Sequence, residues 1–315
     1  MGQARIFISV VAHREPLLFF TLNSAVAQAS QPALLSFGVV DQNTVSQRAS
    51  ITLLPYAKQI RYVYIPTEDT LGVCWARSIA FSLYDGENYL LQIDAHTLFE
   101  PGWDDTLRRL HTALLISSAK PIVTTRPFAF EMRHGEPVFP TVSDTLVVTP
   151  RPNEQPTPDK VILHFENQSR ESTQPITGCH IAAAFLFTHG TFVEEIPYDP
   201  YLYFSGEEFN LSVRAFTHGW DIFHPPRPPL YHAYRQAGTS SVSLHWQPLK
   251  EGQRDSPWGY LAEREKRRIT RLLRGEGLPA PYGLGKARTL EAYCQISGID
   301  YQLLRQIPPA ERNLP

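Results

Sequence analysis

Two patterns of apolar residues alternate along the chain outside its middle segment: continuous apolar runs and apolar positions at helical spacing. Continuous apolar runs bounded by turn residues predict buried strands at residues 5–12, 35–40, 60–65, 89–94 and 122–125. Apolar positions at helical spacing predict helices at residues 17–29, 73–84, 103–119 and 207–218. Strands that alternate with helices in this way indicate an α/β fold with a mainly parallel, doubly wound sheet. Ligands of such sheets bind beyond the carboxyl ends of the strands.

The middle of the chain breaks this alternation. Seven prolines lie between residues 137 and 175, and proline, which has no N–H to donate, favours irregular loops and edge strands over core helices. We interpret this segment as a loop excursion over the ligand-binding face, with loop disorder as an equal alternative. Apolar residues return at 181–187, and a charged helix is predicted at 261–274. We therefore expect one main domain over residues 1–248 and a helical C-terminal appendage over 249–315 that packs on it.

The composition argues against several classes of protein. The 315 residues carry a formal net charge of −2, with both signs interspersed, so nothing electrostatic favours a nucleic acid or an anionic membrane as partner. No apolar stretch approaches the ~18 residues of a spanning helix, and no leader-like segment follows Met1. Three scattered cysteines, Cys74, Cys179 and Cys294, suit a reducing compartment rather than a disulfide framework. We expect a cytoplasmic protein with a small or peptide-like substrate.

Common nucleotide and hydrolase motifs are missing from the sequence. It contains neither a Walker pattern nor Gly-x-Gly-x-x-Gly, and it has no Gly-x-Ser-x-Gly elbow. The charged segment 263–274 mixes basic and acidic residues, which favours a solvated amphipathic helix over a nucleic-acid site. Nucleotide binding through a glycine-rich phosphate loop is therefore disfavoured.

Asp94 and His96 form a candidate metal site where the strand predicted at 89–94 reaches its carboxyl end. In an extended chain, residues two apart project to the same side, so both side chains can bind one cation. A carboxylate oxygen and an imidazole nitrogen suit Mn²⁺, and zinc accepts the same ligands. The alternative is a strand-end turn capped by Asp94. His232, after the predicted helix at 207–218, is the candidate for a third ligand, with an ordinary core or surface histidine as its alternative.

Several segments, taken together in order and spacing, resemble one family of enzymes. They are residues 72–77 (GVCWAR), 89–96 (YLLQIDAH), 197–208 (PYDPYLYFSGEE), 214–221 (RAFTHGWD) and 282–291 (YGLGKARTLE), together with His232. The chain is similar to the cytoplasmic hydroxyproline N-acetylglucosaminyltransferases that modify a ubiquitin-ligase adaptor, and to their bacterial relatives. A more distant similarity is to the mucin-type polypeptide N-acetylgalactosaminyltransferases, which share the Asp-x-His motif and a Gly-Glu helix followed by a metal-binding histidine. Ala95 departs from the usual serine, but its side chain is expected to point away from the two ligands.

The resemblance implies a GT-A (nucleotide-diphospho-sugar transferase) fold with irregular acceptor-side loops. It implies transfer with retention of anomeric configuration from a UDP-sugar, with UDP-GlcNAc favoured, to a hydroxyl group on a protein or peptide. It also implies that Asp94, His96 and His232 bind Mn²⁺ or another divalent cation, which stabilises the charge that grows on the leaving diphosphate.

The nucleotide part of the donor site is assigned to residues near the same sheet edge. Val11 and Ala12 end the first predicted strand and Asp41 ends the second, which is where uracil and ribose are expected. For Asp41 a simple turn-forming role is the alternative. Arg77, one turn into the helix predicted at 73–84, is expected to add a fixed positive charge to the donor site or to contact the nucleotide, with a salt bridge or a solvated helix face as the alternative.

Glu207 and Glu208 begin the helix predicted at 207–218. They are expected to contact hydroxyls of the donor sugar or to orient the acceptor hydroxyl, with Glu207 favoured for the site and the choice of role left open. Favourable interaction with the helix dipole is the alternative. An aromatic group could stack on a sugar or a peptide, although core packing is favoured for each member: Tyr198, Tyr201, Tyr203 and Phe204.

Two other functions fit the same residues. A metal site of this kind could activate water to hydrolyse a nucleotide sugar or a phosphodiester. The chain could also be a non-catalytic sugar- or protein-binding module, although the complete three-ligand set argues against that. The choice between GlcNAc, GalNAc and glucose, and the identity of the acceptor, stay open at this point.

Overall fold

The computed structural model describes residues 4–139, 144–152, 154–158, 160–234 and 258–308. The helices are α1 (Leu18–Gln28), α2 (Arg48–Thr52), α3 (Val73–Phe81), α4 (Trp103–Leu114), α5 (Phe192–Glu195), α6 (Glu207–Thr217), α7 (Trp258–Leu273) and α8 (Leu290–Ser297). The first nine strands are β1 (Ile6–His13), β2 (Leu35–Asn43), β3 (Ile60–Pro66), β4 (Tyr89–Asp94), β5 (Thr97–Phe99), β6 (Pro121–Thr124), β7 (Phe128–Ala129), β8 (Glu131–Arg133) and β9 (Glu136–Val138). The others are β10 (Thr145–Pro150), β11 (Phe165–Arg170), β12 (Ile176–Gly178), β13 (Phe185–His189), β14 (Asp221–His224), β15 (Leu230–His232), β16 (Ile299–Asp300) and β17 (Arg305–Gln306).

Eight strands form the central sheet, in the order β12-β14-β6-β13-β4-β1-β2-β3. Strands β1 to β4 pair in parallel, and β14 is parallel to β6. Strands β13 and β12 run antiparallel to their neighbours. The predicted α/β fold with a mainly parallel sheet is therefore confirmed, with two antiparallel strands that the alternation of strands and helices did not reveal.

Apolar residues cover both faces of this sheet. Ile6, Ile8 and Val10 of β1 belong to a core cluster with residues of α1 and α4. Phe7, between them in sequence, belongs to a second cluster with residues of α3, α6 and α7. Side chains alternate between the two faces of a strand, so burial on both sides explains why β1 has a continuous apolar run.

Most predicted elements occur at their expected places, and the differences occur at element ends. The helix predicted at 103–119 stops at Leu114, because the N–H groups of Ser117 and Ser118 both donate to the Leu114 carbonyl at 3.0 Å and the chain turns into β6. The apolar run at 181–187 contributes a strand only from Phe185 onward.

The proline-rich segment contains short strands, and its described residues include no helix. Strands β10 and β11 pair antiparallel, and Val148, Leu163 and Phe165 bury apolar side chains in the same cluster as Phe7. Residues 140–143, 153 and 159 of this segment lie outside the described residues.

Helix α7 packs on the same core from the C-terminal side. Ile269, Leu272 and Leu273 are buried in the cluster that contains Leu211 of α6. The predicted domain boundary between residues 248 and 249 lies among residues 235–257, outside the described part of the chain, so it stays a prediction. None of the described helices is long and apolar enough to cross a membrane.

Candidate functional site

Asp94, His96 and His232 come together at the carboxyl end of β4. Asp94 is the last residue of β4, His96 lies in the turn to β5, and His232 ends β15, which pairs with β5. Ligand atoms of the three residues all lie within 4.8 Å of one another. Nε2 of His232 lies 3.0 Å from Oδ2 of Asp94 and 3.0 Å from Nε2 of His96. The structure thus brings together the three residues predicted to bind a metal ion.

The protonation states of this cluster fit a divalent cation. Burial alone would raise the pKa of Asp94, but the hydrogen bond from His232 and the positive charge of Arg77 hold it well below its usual value. Burial lowers the pKa of His232, although the neighbouring Asp94 opposes this effect. A charged carboxylate and a neutral imidazole are the forms that bind metals. Two ring nitrogens and one carboxylate oxygen suit Mn²⁺ or a similar ion.

Glu15 fixes the orientation of the His96 ring. Its Oε2 lies 2.9 Å from Nδ1 of His96, and its Oε1 accepts the N–H of Leu17 at 3.0 Å. A carboxylate can only accept, so Nδ1 of His96 carries the proton and Nε2 keeps its lone pair for a metal. Carboxylates in this outer position are common around metal-binding histidines. The sequence did not reveal Glu15, which lies 81 residues before His96 and belongs to no local motif.

Arg77 is buried between two carboxylates. Its Nη2 donates to Oδ1 of Asp94 at 2.6 Å, and its Nε lies 2.8 Å from Oε1 of Glu207. Only 1 % of its side chain is exposed. Burial would lower the pKa of Arg77, but the charge of Glu207 raises it above its usual value. Arg77 is therefore a fixed cation that links α3, β4 and α6, as the salt-bridge alternative anticipated.

Glu207 is committed to contacts inside the protein. Besides Arg77, its Oε1 accepts a hydrogen bond from the Tyr198 hydroxyl at 2.7 Å. Burial raises the pKa of Glu207 to about 7, with the Arg77 charge opposing the shift. Tyr198 is thus a buried hydrogen-bonding residue of the site, which its aromatic character alone did not indicate.

Glu208 differs from Glu207 because part of its carboxylate reaches open space. Its Oε1 accepts the N–H of Ala183 at 3.0 Å, and its Oε2 lies 3.7 Å from Nη2 of Arg126. A quarter of its side chain is exposed. Burial raises the pKa of Glu208, and the charge of Arg126 opposes this. Arg126, like Glu15, has no sequence signal, because its partner lies 82 residues further on.

A cavity of about 620 Å³ opens beside these groups. Its lining includes Arg77, Asp94 and His232, together with both glutamates at the start of α6. The lining also includes residues 160–165 of the proline-rich segment and four residues of α7: Ala262, Glu263, Glu265 and Lys266. Two of the candidate metal ligands, Asp94 and His232, therefore face one common space with Glu208, whereas His96 is not part of its lining.

The residues predicted to meet the nucleoside lie beside this cavity and do not line it. Val11 pairs with Asp94 and Ala12 pairs with Asp41 in the sheet register, so all four share one edge. Asp41 is buried and does not end its strand as predicted, because pairing of β2 with β3 continues to Asn43. Its Oδ2 accepts the Tyr62 hydroxyl at 2.6 Å, and burial raises its pKa while this hydrogen bond opposes the rise.

Two of the four predicted aromatic candidates are accessible. Tyr198 and Tyr203 are buried, whereas Tyr201 and Phe204 are exposed to 48 % and 41 %. Phe204 also lines the cavity. Tyr198 and Tyr203 are therefore occupied inside the protein, and contact with a ligand stays a prediction only for Tyr201 and Phe204.

Solved structures share the fold of this chain. GalNAc-T7, in a crystal structure with UDP, GalNAc and Mn²⁺, matches with a TM-score of 0.60 and 18% identity over 96% of this chain and 56% of that chain. Residues 1–349 of TarS from S. aureus, in complex with UDP-GlcNAc, match with a TM-score of 0.51 and 14% identity over 93% of this chain and 70% of that chain. This chain spans just over half of the GalNAc-T7 chain. At these identities the matches show the GT-A fold alone.

Sequence comparison identifies the family. No curated protein matches the chain significantly. A family model described as glycosyltransferase (GlcNAc) matches residues 45–303, which is most of the chain and includes every candidate metal ligand. The resemblance drawn from the sequence motifs is thereby confirmed, and the protein belongs to the GlcNAc glycosyltransferase family.

Proposed function

We propose that the protein is a metal-dependent, retaining glycosyltransferase that moves GlcNAc from UDP-GlcNAc to a hydroxyl group of a protein or peptide. The observation that carries this proposal is the convergence of Asp94, His96 and His232 within 4.8 Å of one another, beside a cavity that Asp94 and His232 share with Glu208, in a chain of the GlcNAc family. Two structures of the same fold support the donor, since one holds UDP and Mn²⁺ and the other holds UDP-GlcNAc.

The chain's own residues prepare the site for a charged donor. Asp94, His96 and His232 would hold the cation, which when bound supplies Lewis-acid neutralisation of the charge that develops on the leaving diphosphate. Arg77 holds the Asp94 carboxylate in its ionised form and in one orientation through the 2.6 Å contact. Glu15 directs Nε2 of His96 to the same point. Because Arg77 is buried, its proposed role is to position these groups.

The two glutamates take different roles in this proposal. Glu207 is tied to Arg77 and Tyr198, so it fixes the start of α6 relative to β4. Glu208 keeps an oxygen at the cavity and is the carboxylate proposed to contact hydroxyls of the donor sugar or the acceptor hydroxyl. Its place in the first turn of α6 also lets the helix dipole stabilise its charge.

The nucleoside and the acceptor complete the proposal. Uracil and ribose are assigned to the sheet edge where Val11 and Ala12 lie next to Asp94 and Asp41. Retention of configuration rests on the resemblance to the mucin-type enzymes. A protein or peptide acceptor and a cytoplasmic location rest on the resemblance to the hydroxyproline-modifying enzymes, and the balanced charge of the chain gives no reason to add a nucleic-acid partner.

The test measures UDP release from a panel of UDP-sugars with Mn²⁺, with and without a hydroxyl-bearing peptide mixture. We expect release from UDP-GlcNAc that rises with acceptor, and an α-linked product by NMR. The variants Asp94→Asn and His232→Ala should reduce release to the level seen with EDTA. Glu68→Gln, at an exposed position, is the matched control.

Other outcomes would separate the alternatives. A rate of UDP release that is the same with and without acceptor supports hydrolysis of the nucleotide sugar. Absence of UDP binding in the presence of Mn²⁺, or full activity in both ligand variants, contradicts the proposal.

A further inference from the structure

Glu265 of α7 is buried against a loop that belongs to the candidate site. Its exposure is 2 %, although it lies in a helix that the charge pattern predicted to be solvated. Its Oε1 accepts the N–H groups of Tyr203, Phe204 and Gly206 at 3.1, 2.8 and 2.9 Å, and its Oε2 accepts that of Ser205 at 3.1 Å. One side chain therefore binds four consecutive backbone amides about 60 residues away in sequence.

This loop leads into helix α6 and is hydrogen-bonded to the start of helix α3, and these two helices carry charged groups of the site. Gly206 immediately precedes α6, whose first residues are Glu207 and Glu208. The carbonyl of Tyr203 accepts the N–H of Val73 at 3.0 Å, at the start of α3, which carries Arg77 one turn later. A displacement of the loop would therefore move both ends of the Arg77–Glu207 ion pair.

Two glycines allow the backbone contacts on either side of the loop. A Cβ at Gly206 would lie 2.7 Å from Cγ1 of Ile269 and 3.1 Å from Oε1 of Glu265, so α7 and the loop touch with no space for a side chain. Gly72 has a φ of +106°, and a Cβ there would collide with the carbonyl of Tyr203. The loop is thus held in direct contact with α7 on one side and α3 on the other.

The acceptor for the four N–H groups of the loop comes from a distant helix and not from the loop itself. Gly206 occupies the N-cap position of α6, and among the described residues no side chain forms the usual N-cap hydrogen bond there. Successive backbone N–H groups form an anion-binding concavity, and leaving buried N–H groups without acceptors is costly. The carboxylate of Glu265 fills this concavity from a distant helix.

We propose that Glu265 is a positioning residue for glycosyl transfer, acting through the 203–206 loop on the placement of Glu207, Glu208 and Arg77. This inference rests on the proposed function, since its activity readout is sugar transfer. Glu265 also lines the cavity, but both of its oxygens accept N–H groups of the loop. Among the described residues, no hydrogen bond or ion pair joins it to a candidate metal ligand, so cation binding does not depend on it directly.

Removal of the carboxylate should lower the turnover rate with little change in donor binding. A misplacement of reacting groups by about 1 Å can cost about 100-fold in rate, and we expect a loss of that order in kcat for Glu265→Ala. The KM for UDP-GlcNAc and the affinity for Mn²⁺ should stay within about threefold, because both reside in other elements. Glu265→Gln should lose about tenfold, since an amide can accept three of the four N–H groups but must turn its own NH₂ toward the fourth.

Chemical rescue separates positioning from a general loss of stability. Formate can occupy the space that Glu265→Ala vacates and accept the same N–H groups, so added sodium formate should restore part of kcat, whereas sodium chloride at equal ionic strength should not. Glu276→Gln, an exposed carboxylate just beyond α7, is the matched control and should behave as the wild type. Leu272→Ala, buried in α7, should lower Tm without lowering kcat at temperatures where it stays folded.

Hydrogen exchange tests the contact without any activity. The amides of residues 203–206 should exchange faster in both Glu265 variants and be unchanged in Glu276→Gln. Wild-type kcat in Glu265→Ala, or an equal loss of kcat in Leu272→Ala at matched Tm, would overturn the inference. If the wild-type protein transfers no sugar, the proposed function fails, and unchanged exchange at 203–206 would then overturn the loop contact independently.

Discussion

Glu15 and His96 are joined by a 2.9 Å hydrogen bond through Nδ1 of the histidine, which leaves Nε2 as the nitrogen proposed to bind a metal. The two oxygens of Glu15 accept two different N–H groups, one from His96 and one from the backbone of Leu17. The amide of Glu15→Gln can accept only one of them. We therefore expect this variant to bind Mn²⁺ about 10–100-fold more weakly, measured by titration calorimetry or by the EPR signal of free Mn²⁺.

The control for this variant is Glu68→Gln, which makes the same replacement of a carboxylate by an amide at an exposed position. An unchanged Mn²⁺ affinity in Glu15→Gln would show that the tautomer of His96 is set in another way.

Arg77 is the buried cation between Asp94 and Glu207. Its removal leaves the Asp94 carboxylate without this counter-charge and leaves Glu207, whose pKa burial already raises, without its charged partner. Arg77→Met should reduce the free energy of unfolding by about 3–5 kcal/mol, which urea denaturation in EDTA would measure. The double variant with Glu207→Gln should recover part of this loss, because a neutral amide replaces a buried carboxyl group that has lost its charged partner. A loss below about 1 kcal/mol in the single variant would contradict a structural role for this ion pair.

Glu208 and Glu207 should respond differently to the same chemical change. Glu208→Gln can keep the bond from the Ala183 N–H but loses the charge that faces Arg126 in the cavity. We expect kcat/KM for transfer to fall by about 10–100-fold with an unchanged Tm. Glu207→Gln should instead change Tm as well, because its partner Arg77 is buried. Glu171→Gln, at an exposed site, is the control, and equal kcat/KM for it and Glu208→Gln would exclude Glu208 from the site.

Three buried histidines predict a loss of stability in mild acid. Burial lowers the pKa of His111 to about 4, that of His180 to about 3 and that of His224 to about 4, from an ordinary value of 6.5. Between these values and pH 6.5 the histidines are protonated in the unfolded chain and neutral in the folded chain. Their contribution to the free energy of unfolding is therefore fully present above pH 6.5 and decreases as the pH falls. Each histidine should cost about 2 kcal/mol at pH 5, measured as free energy of unfolding against pH.

A single substitution tests the assignment of this acid sensitivity. His111→Leu, in an apolar setting between Tyr89 and Phe187, should reduce the stability lost between pH 7.5 and pH 5 by about 2 kcal/mol. His134→Asn, at an exposed turn with φ of 54°, should leave that difference unchanged. An identical pH profile for His111→Leu and the wild type would show that His111 does not contribute.

The fold could be predicted from the sequence because its main strands are buried on both faces. The run Tyr89–Asp94 is apolar almost throughout for that reason, and its end delivers Asp94 to the ligand-binding edge. The spacing of Asp94 and His96 is local, so the candidate metal pair could be found as well. Strand β13, inserted antiparallel between β4 and β6, could not be placed, since its pairing depends on partners far away in sequence.

The residues that the sequence did not reveal are those whose partners are distant. Glu265 alternates with basic residues in an apparently solvated helix, and only the tertiary structure shows the four N–H groups that it accepts. Asp41 was placed at a strand end because the apolar run stops there, whereas hydrogen bonding of the backbone continues to Asn43 through polar residues. Periodicity reports which side chains are apolar and contains no information on where the polar ones find their partners.

The pairing of β15 with β5 also has a consequence for biosynthesis. His232 reaches Asp94 only when a strand made 138 residues later joins the small sheet beside the central one. A nascent chain on the ribosome that has exposed β1 to β5 would hold two of the three proposed ligands, and the cation would find its full coordination only after most of the protein had been synthesised. Metal binding would then follow the folding of the central sheet, so the ion would bind the folded protein and would not initiate folding.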